Sequence, residues 1–272
     1  VEYTDRLKHE LRVISDRGFS KYFLTMTEIS DIANQIMLTG SGRGSAAGSL
    51  VAYALDITQV DPIKYGLLFS RFLRSDATDY PDIDYDVAEP MDLKDELISK
   101  WGDNVVAPIS NWNTLQLRSL VKDISKLYGI PFTEVNNVTG KMMFEATGPA
   151  KEKHGIKSGV YNPTFEEVKE FSPTLQRFLV TYPQVADHID TLYGQVRSCS
   201  RHAGGVVIAD DLDKHMPLIS SKNVRQTPWS EGQNVRHLEP MGFIKFDLLG
   251  LSTLRMVDGA IRHILRRHHG VE

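Results

Sequence analysis

The heptapeptide PDIDYDV, from Pro81 to Val87, constrains the fold of this chain more than any other segment. Side chains of a β-strand alternate between two faces, so Asp82, Asp84 and Asp86 share one face and the residues between them share the other. Three carboxylates on one face repel each other unless a cation neutralises them. Oxygen ligands select hard cations, so the pattern predicts Mg²⁺ or Mn²⁺ beside a buried strand. A solvated acidic loop is the alternative, whereas an EF-hand is excluded because Val87 stands where that loop needs glycine.

A third carboxylate for such a metal site is expected from the segment IKFDLLGL, which reads as a buried strand. Asp247 lies inside this apolar run, and burying an isolated carboxylate is costly unless it is paired or binds a metal. Lys245 lies two residues earlier and therefore on the same face. It would bring a cation to the acidic cluster or reach a substrate phosphate. A salt-bridged or capping aspartate at a strand end remains the alternative.

The glycine-rich run GSGRGSAAGS, residues 40–49, lies between a predicted short strand and a predicted helix. It is neither a P-loop nor a GxGxxG motif, because the required lysine and the last glycine are missing. Bare backbone amides near a helix N-terminus can nevertheless hold phosphates. Arg43 and the hydroxyl groups of Ser45 and Ser49 would add donors. A helix-packing loop of small residues is the alternative.

Composition limits the classes of protein that this chain can belong to. The 272 residues are 41% hydrophobic and 24% charged, which excludes a disordered chain and suffices for one large or two smaller domains. The 31 basic and 35 acidic residues give a net charge of −4, which argues against binding nucleic acid through bulk positive charge. It does not exclude a nucleic-acid enzyme with local basic patches and a bound metal.

The setting of the chain also follows from its composition. The single Cys199 excludes a disulfide-stapled fold, and no run of about 18 apolar residues predicts a membrane span. We expect a reducing, cytoplasmic setting and no membrane partner. The chain starts without methionine, directly in a helical pattern, so we also expect a piece of a longer protein.

The order of the predicted elements indicates an α/β domain that is interrupted by a helical insertion. The strands before and after the insertion are expected to share one sheet. The predicted elements are helices over 2–17, 27–36, 45–55, 67–73, 93–101 and 251–267, extended runs at 22–26, 37–39, 81–87, 205–209 and 243–248, and a mostly helical middle from 114 to 195, broken at several glycines and prolines including Gly140 and Pro149.

Five of these segments together resemble one family. GSGRGSAAGSLVAYALDIT, LLFSRFL, PDIDYDV, RHAGGVVIA and IKFDLLGL occur in the order and at roughly the spacing of the bacterial replicative C-family DNA polymerases, the alpha subunits of DNA polymerase III. The resemblance extends from Tyr3 to about Leu265. It implies an α+β fold, a polymerase-beta-like nucleotidyltransferase palm with an inserted helical thumb. The palm would comprise residues 1–113 and 201–272, and the thumb residues 114–200.

The resemblance also implies roles for individual residues. It implies two Mg²⁺ ions, replaceable by Mn²⁺, that assist transfer of a deoxynucleotide to a primer 3′-hydroxyl. Asp82, Asp84 and Asp247 match the catalytic, metal-binding aspartates, and Asp86 ranks below them because one branch of the family has asparagine there. The matches to residues near nucleotide phosphates are Arg43, Gly44, Ser45, Ser49 and Lys245. Those to residues near DNA are Arg201, His202 and, more weakly, Arg71.

The chain departs from the family in several places. Ser70 replaces a glutamate before Arg71, Asn111–Thr114 replaces a TFGT motif, and SEGQNVRHLEP lacks the usual Thr-Gln pair. These departures favour a divergent member, with a phage genome as one source. The family's phosphoesterase-like domain, fingers and clamp-binding segment have no counterpart here, so contact with the sliding clamp is expected only through absent segments.

The expected substrates are primer–template DNA and a deoxynucleoside triphosphate. Two other functions stay open. The chain could be a DNA- or partner-binding module without catalysis, or a nucleotidyltransferase that acts on an acceptor other than a primer.

Overall fold

The computed structural model describes residues 1–76, 80–232 and 235–270, so residues 233–234 of the SEGQNVRHLEP stretch lie outside it. The chain divides into two compact units, one of Val1–Asn111 with Ser200–Glu272 and one of Trp112–Cys199. In the described part of the chain, no helix has the length and apolar character needed to cross a bilayer.

Helices and strands both occur in the first unit, whereas the second unit is mainly helical. The α-helices are α1 (Glu2–Asp16), α2 (Ser20–Ile36), α3 (Leu50–Ala54), α4 (Pro90–Trp101), α5 (Leu117–Leu127), α6 (Phe132–Lys153), α7 (Phe165–Phe171), α8 (Pro173–Thr181), α9 (Pro183–Leu192), α10 (Leu212–His215) and α11 (Ser252–His269). The strands are β1 (Asp84–Val87), β2 (Val106–Thr114), β3 (Val196–Ile208), β4 (Ile219–Ser221), β5 (Val224–Gln226) and β6 (Lys245–Gly250). Short 3₁₀ turns cover Ser45–Gly48, Phe69–Arg71 and Glu239–Met241.

The main sheet is mixed and has the strand order β1-β6-β3-β2. Strand β6 runs parallel to β1, with Asp84 beside Asp247, and antiparallel to β3, with Gly205 beside Asp247. The prediction that strands from both sides of the insertion share one sheet is therefore confirmed. The mixture of this sheet with helices agrees with the α+β part of the expected fold class.

One face of the main sheet is buried under helices of the first unit. Tyr85 and Val87 of β1 and Phe246 and Leu248 of β6 join one hydrophobic core with side chains of α2 and α4. Because side chains alternate along a strand, the acidic residues of β1 and β6 must face the opposite side. The alternation read from PDIDYDV is confirmed, since Ile83, Tyr85 and Val87 are buried and the aspartates between them are not.

The prediction of an extended run over 22–26 is wrong, because these residues lie inside the continuous helix α2. Tyr22, Phe23, Met26, Ile29 and Ala33 recur at helical spacing on one buried face, and this packing overrides the β-propensity of the aromatic residues. Two other predicted helices are shorter than expected. Residues 45–55 form a 3₁₀ turn followed by the five-residue α3, and residues 67–73 contain only a 3₁₀ turn.

Helix α6 passes through Gly140 and Pro149, where the sequence predicted breaks. A proline inside a helix removes one backbone hydrogen bond and usually kinks the helix. Met142, Ala146 and Ala150 lie one turn apart on the buried face of this helix. Helices α7 and α8 pack against α6, and this tertiary packing keeps it continuous.

A buried glutamate organises the start of helix α7. Glu167 and Thr164 form a capping box, in which the Thr164 N–H donates to Oε2 of Glu167 at 2.8 Å. The hydroxyl of Tyr161 also donates to this carboxylate at 2.8 Å, and His154 Nε2 lies 2.5 Å from Oε1. These donors, the backbone of Thr164 first, lower the pKa of Glu167 to about 2.

We therefore expect Glu167 to stabilise the chain by charge as well as by geometry. Because its folded pKa is depressed, the contribution is complete above the unfolded pKa and disappears as pH falls towards about 2. Glu167→Gln should lower the free energy of unfolding by about 2 kcal/mol near neutral pH, and by much less at about pH 3. Urea unfolding, with hydrogen exchange in α7 as the local probe, measures both values.

The neighbouring Glu166 provides the control, since its side chain is 76% exposed. Glu166→Gln should change the free energy of unfolding by less than about 0.5 kcal/mol. An equal loss for Glu167→Gln at neutral and acidic pH would contradict this role of its charge.

Candidate metal and phosphate site

Three carboxylates converge on the face of the main sheet opposite the core that contains Phe246 and Leu248. Oxygen atoms of Asp82, Asp84 and Asp247 all lie within 4.8 Å of one another. Asp84 and Asp247 are neighbours because β1 and β6 pair in parallel, and Asp82 precedes Asp84 by two residues. Residues far apart in the sequence thus meet where a single cation could touch all three.

A buried tyrosine that the sequence analysis assigned to a strand positions the acidic segment. The hydroxyl oxygen of Tyr22 accepts a hydrogen bond from the Ile83 N–H at 3.1 Å. Its ring stacks on Phe246 with a centroid distance of 4.9 Å. Tyr22 therefore connects the backbone between Asp82 and Asp84 to the strand that carries Asp247. No sequence signal other than helical periodicity could have indicated this contact.

Repulsion among the carboxylates is only partly compensated. Partial burial, followed by the charges of Asp247 and Asp84, raises the pKa of Asp82. The negative charges of Asp247 and Asp84 thus add to the effect of partial burial. Lys245 Nζ lies 2.7 Å from Oδ2 of Asp247, which places its ammonium beside the cluster as expected. One ammonium against three carboxylates leaves an excess of negative charge.

These residues fit a divalent cation. Oδ1 of Asp247 is buried, and no hydrogen-bond partner reaches it from the described residues. A buried carboxylate oxygen without a donor is costly, and a metal ion would satisfy it. The three side chains offer only oxygen, which suits Mg²⁺ or Mn²⁺ better than softer metals.

Asp86 lies outside this cluster and pairs with an arginine of the glycine-rich run. Arg43 Nη1 is 3.1 Å from Oδ1 of Asp86, whose side chain is 13% exposed. The backbone continues the contact, since the Gly40 N–H donates to the Asp86 carbonyl oxygen at 2.8 Å. Asp86 thus fixes the glycine-rich run along β1.

Gly44 lies directly against the acidic cluster. Its backbone has φ +63°, and a Cβ atom there would lie 3.3 Å from Oδ2 of Asp84. Both the left-handed backbone and this close approach favour glycine. Arg43, Gly44 and Ser45 are exposed, so their donors border the three aspartates on the solvent side.

Ser49 does not agree with its predicted nucleotide-binding role. It is fully buried and caps α3, where its Oγ accepts a hydrogen bond from the Ala52 N–H. Its hydroxyl donates to Oε2 of the buried Glu10 at 2.9 Å. Because helix α3 starts only after Ser49 and has five residues, the predicted helix N-terminus does not border Gly44 either. Ser49 and Glu10 instead connect α1 to the end of the glycine-rich run.

The predicted DNA-binding residues have different surroundings. His202 and Arg201 lie half-buried on β3, and Arg71 is exposed in the turn Phe69–Arg71. The ring of His202 folds back on its own strand, because Nδ1 accepts hydrogen bonds from the Gly204 and Gly205 N–H groups at 3.2 and 2.7 Å. In the described part of the chain, Arg71 forms no ion pair with the acidic cluster.

A cavity of about 350 Å³ opens next to the acidic cluster. Asp82 of the cluster and the neighbouring Lys245 line its near wall. The sequence analysis did not single out the residues of its far wall. Arg236 pairs there with Glu239 at 2.8 Å. Oε2 of Glu231 accepts hydrogen bonds from the Leu238 and Glu239 N–H groups. Their stretch of sequence carries no recognisable motif, so only the folded chain identifies them.

Comparison with known proteins places the chain in a family. The family model described as the bacterial DNA polymerase III alpha NTPase domain matches residues 1–250. The chain therefore belongs to the bacterial DNA polymerase III alpha family.

Individual relatives agree with this assignment. The DNA polymerase III subunit alpha of Borreliella burgdorferi is 36% identical over 262 residues, which cover 94% of this chain and 21% of that protein. The subunit of Yersinia pestis is 32% identical, and the match covers 96% of this chain and 21% of that protein. The subunit of Aquifex aeolicus is also 32% identical, and the match covers 100% of this chain and 24% of that protein. The chain thus spans about a fifth to a quarter of the curated relatives that it matches.

If the three aspartates hold a cation, Asp84→Asn should weaken Mn²⁺ binding by more than about tenfold, because a ligand and a negative charge are lost. Electron paramagnetic resonance titration of free Mn²⁺ measures this affinity. Asp86→Asn is the matched control, since it removes a charge two residues away that pairs with Arg43. It should change the affinity by less than about threefold. Equal losses in the two variants would contradict the assignment.

Proposed function

We propose that the chain is the palm and thumb region of a replicative DNA polymerase. It would transfer a deoxynucleotide to a primer 3′-hydroxyl and release pyrophosphate. The first unit would form the palm, related to the polymerase-beta-like nucleotidyltransferases, and the second unit the thumb. The observation that carries the proposal is the convergence of Asp82, Asp84 and Asp247 beside the exposed Gly44.

The three aspartates would hold Mg²⁺ on the face of the sheet opposite Phe246 and Leu248. Mg²⁺ bound there would activate the primer hydroxyl and neutralise the leaving pyrophosphate. Lys245 would keep Asp247 oriented through their 2.7 Å ion pair. No protein nucleophile is required, because the primer oxygen attacks the α-phosphorus directly while the bond to pyrophosphate breaks.

The glycine-rich run would receive the triphosphate. Backbone amides near Gly44 and the hydroxyl of Ser45 are exposed beside Asp84, where they could donate to phosphate oxygens. Arg43 would add positive charge while Asp86 holds its guanidinium close to the cluster. The cavity between Asp82 and Arg236 offers room for part of a substrate next to the reacting atoms.

The second unit would grip duplex DNA through phosphate contacts. It carries ten lysine and arginine residues against nine acidic ones, so bulk charge contributes little attraction. Binding would then depend on a few well-placed cations and would show little base preference.

A cytoplasmic location, contact with a sliding clamp through other segments and a phage origin remain predictions from the sequence.

Primer extension tests the proposed reaction. With Mg²⁺, primer–template and deoxynucleoside triphosphates, the chain should lengthen the primer, and Asp84→Asn should reduce the rate by more than about a hundredfold. Asp95→Asn, on α4, removes a carboxylate outside the cluster and should leave the rate unchanged. Tight DNA binding without extension would favour the non-catalytic binding module. Transfer to a small hydroxyl compound in preference to a primer would favour the second alternative.

Salt dependence tests the proposed DNA contacts. Affinity for primer–template should fall steeply as salt rises, because counterions are released from each contacted phosphate. Arg201→Ala should lower the affinity on all sequences alike and reduce the slope of log affinity against log salt by about one. Arg12→Ala, on α1, is the control and should leave the slope unchanged. Fluorescence anisotropy measures the affinities, and a flat response to salt would contradict backbone-directed binding.

A further inference from the structure

Among the described residues of the first unit, the largest fully buried polar side chain is a lysine that has no role in the proposed mechanism. Lys94 lies on α4 and is completely shielded from solvent. Burial first and the nearby Arg201 second lower its pKa to about 8, while Asp247 acts in the opposite direction. A buried ammonium is costly unless its donors are used, so its partners indicate what it is for.

Both known partners of Lys94 are carbonyl oxygens of one short segment of β3. Its Nζ donates to the His202 carbonyl at 3.0 Å and to the Ala203 carbonyl at 2.8 Å. The ring of His202 holds the same segment through further hydrogen bonds, because its Nδ1 accepts from the Gly204 and Gly205 N–H groups. Two carbonyl groups and two amide groups within four residues therefore bond to side chains. We call Lys94, His202 and the backbone of residues 202–205 the β3 clasp.

The β3 clasp lies against the strand that carries the metal site. Gly205 pairs with Asp247 across β3 and β6. A Cβ atom at Gly205 would lie 3.0 Å from Nδ1 of His202 and 3.2 Å from Cδ of Lys245. At Gly204 it would lie 2.9 Å from the Leu248 carbonyl oxygen. Little space therefore separates the clasp from Lys245 and Asp247, so a shift of the clasp would move them.

We propose that Lys94 is a positioning residue, which fixes residues 202–205 of β3 so that Lys245 and Asp247 keep the arrangement required for metal binding. This inference rests on the proposed function, because it assumes that Asp247 is a metal ligand. Outer partners that orient metal ligands contribute substantially to affinity, and their loss typically weakens metal binding by 10–100-fold, roughly.

The sign of the effect separates positioning from the other roles of Lys94. Its positive charge near Asp247 opposes a bound cation, so removal of this charge alone would tighten Mn²⁺ binding. A purely structural lysine would affect thermal stability and leave the affinity unchanged. Only a positioning role predicts that Lys94→Met weakens Mn²⁺ binding.

Mn²⁺ titration by electron paramagnetic resonance tests this proposal on the intact chain. We expect Lys94→Met to weaken Mn²⁺ binding by about tenfold. Lys100→Met is the control, because Lys100 lies on the same helix and its side chain is 41% exposed. The Lys100→Met variant should bind Mn²⁺ as tightly as the wild type. Unchanged or tighter binding by Lys94→Met would overturn the proposal.

His202→Ala keeps the charge of Lys94 and removes the other half of the clasp. It should also weaken Mn²⁺ binding several-fold. If circular dichroism shows that Lys94→Met is unfolded, His202→Ala becomes the test of the positioning role. Unchanged affinity in His202→Ala would then overturn the proposal. In Lys94→Met and His202→Ala, wherever the variant folds, the Gly204 and Gly205 amides should exchange hydrogen faster than in the wild type. A loss of affinity without faster exchange would exclude the clasp as its cause.

Asp84→Asn separates this inference from the proposed function. If Asp84→Asn loses Mn²⁺ and Lys94→Met retains it, the metal site stands and the positioning role of Lys94 is overturned. If Asp84→Asn binds Mn²⁺ as the wild type does, the metal site itself is wrong, and the role of Lys94 falls with it.

Discussion

Parallel pairing of β1 with β6 is the interaction on which the candidate site depends. It brings Asp84 beside Asp247 although the chain between them contains the whole second unit. The register is fixed from the other face of the sheet, where Tyr85, Val87, Phe246 and Leu248 are buried in one core. A shift of one residue would turn these side chains towards solvent and the aspartates towards the core, at a large cost in free energy. The hydrophobic core therefore determines the geometry of the acidic cluster.

Local patterns in the sequence predicted the parts of this arrangement that depend on strand periodicity. The alternation in PDIDYDV indicated which residues are buried, and the apolar surroundings of Asp247 indicated a strand with an unusual carboxylate. The roles of Tyr22 and Ser49 were not predictable in the same way. Tyr22 lies in an aromatic run that favours a strand, and only packing across α2 makes it helical. Ser49 looks like a phosphate donor until the fold brings the buried Glu10 to its hydroxyl.

Family membership and site geometry support the proposed function in different ways. The match over residues 1–250 identifies the family, and the chain covers about a fifth to a quarter of the length of the relatives compared above. The match therefore assigns the family, and the activity of this chain is a proposal that its own site has to support. The geometry limits what the chain itself could do, because three oxygen ligands, a lysine and an exposed glycine turn occur together on one face. Such a face suits a metal-assisted reaction on phosphates better than recognition of an apolar ligand.

A cluster of like charges on one face of a sheet has to be held together against its own repulsion. The acidic side chains remain close because the surrounding structure leaves them little freedom. Tyr22 binds the backbone between Asp82 and Asp84, Arg43 pairs with Asp86 at the edge, and Lys245 pairs with Asp247 at the centre. Each of these contacts would stabilise the site without occupying the buried Oδ1 of Asp247. The compensation is thus incomplete at the atom where a cation would bind, as expected for a site whose remaining negative charge serves ligand binding.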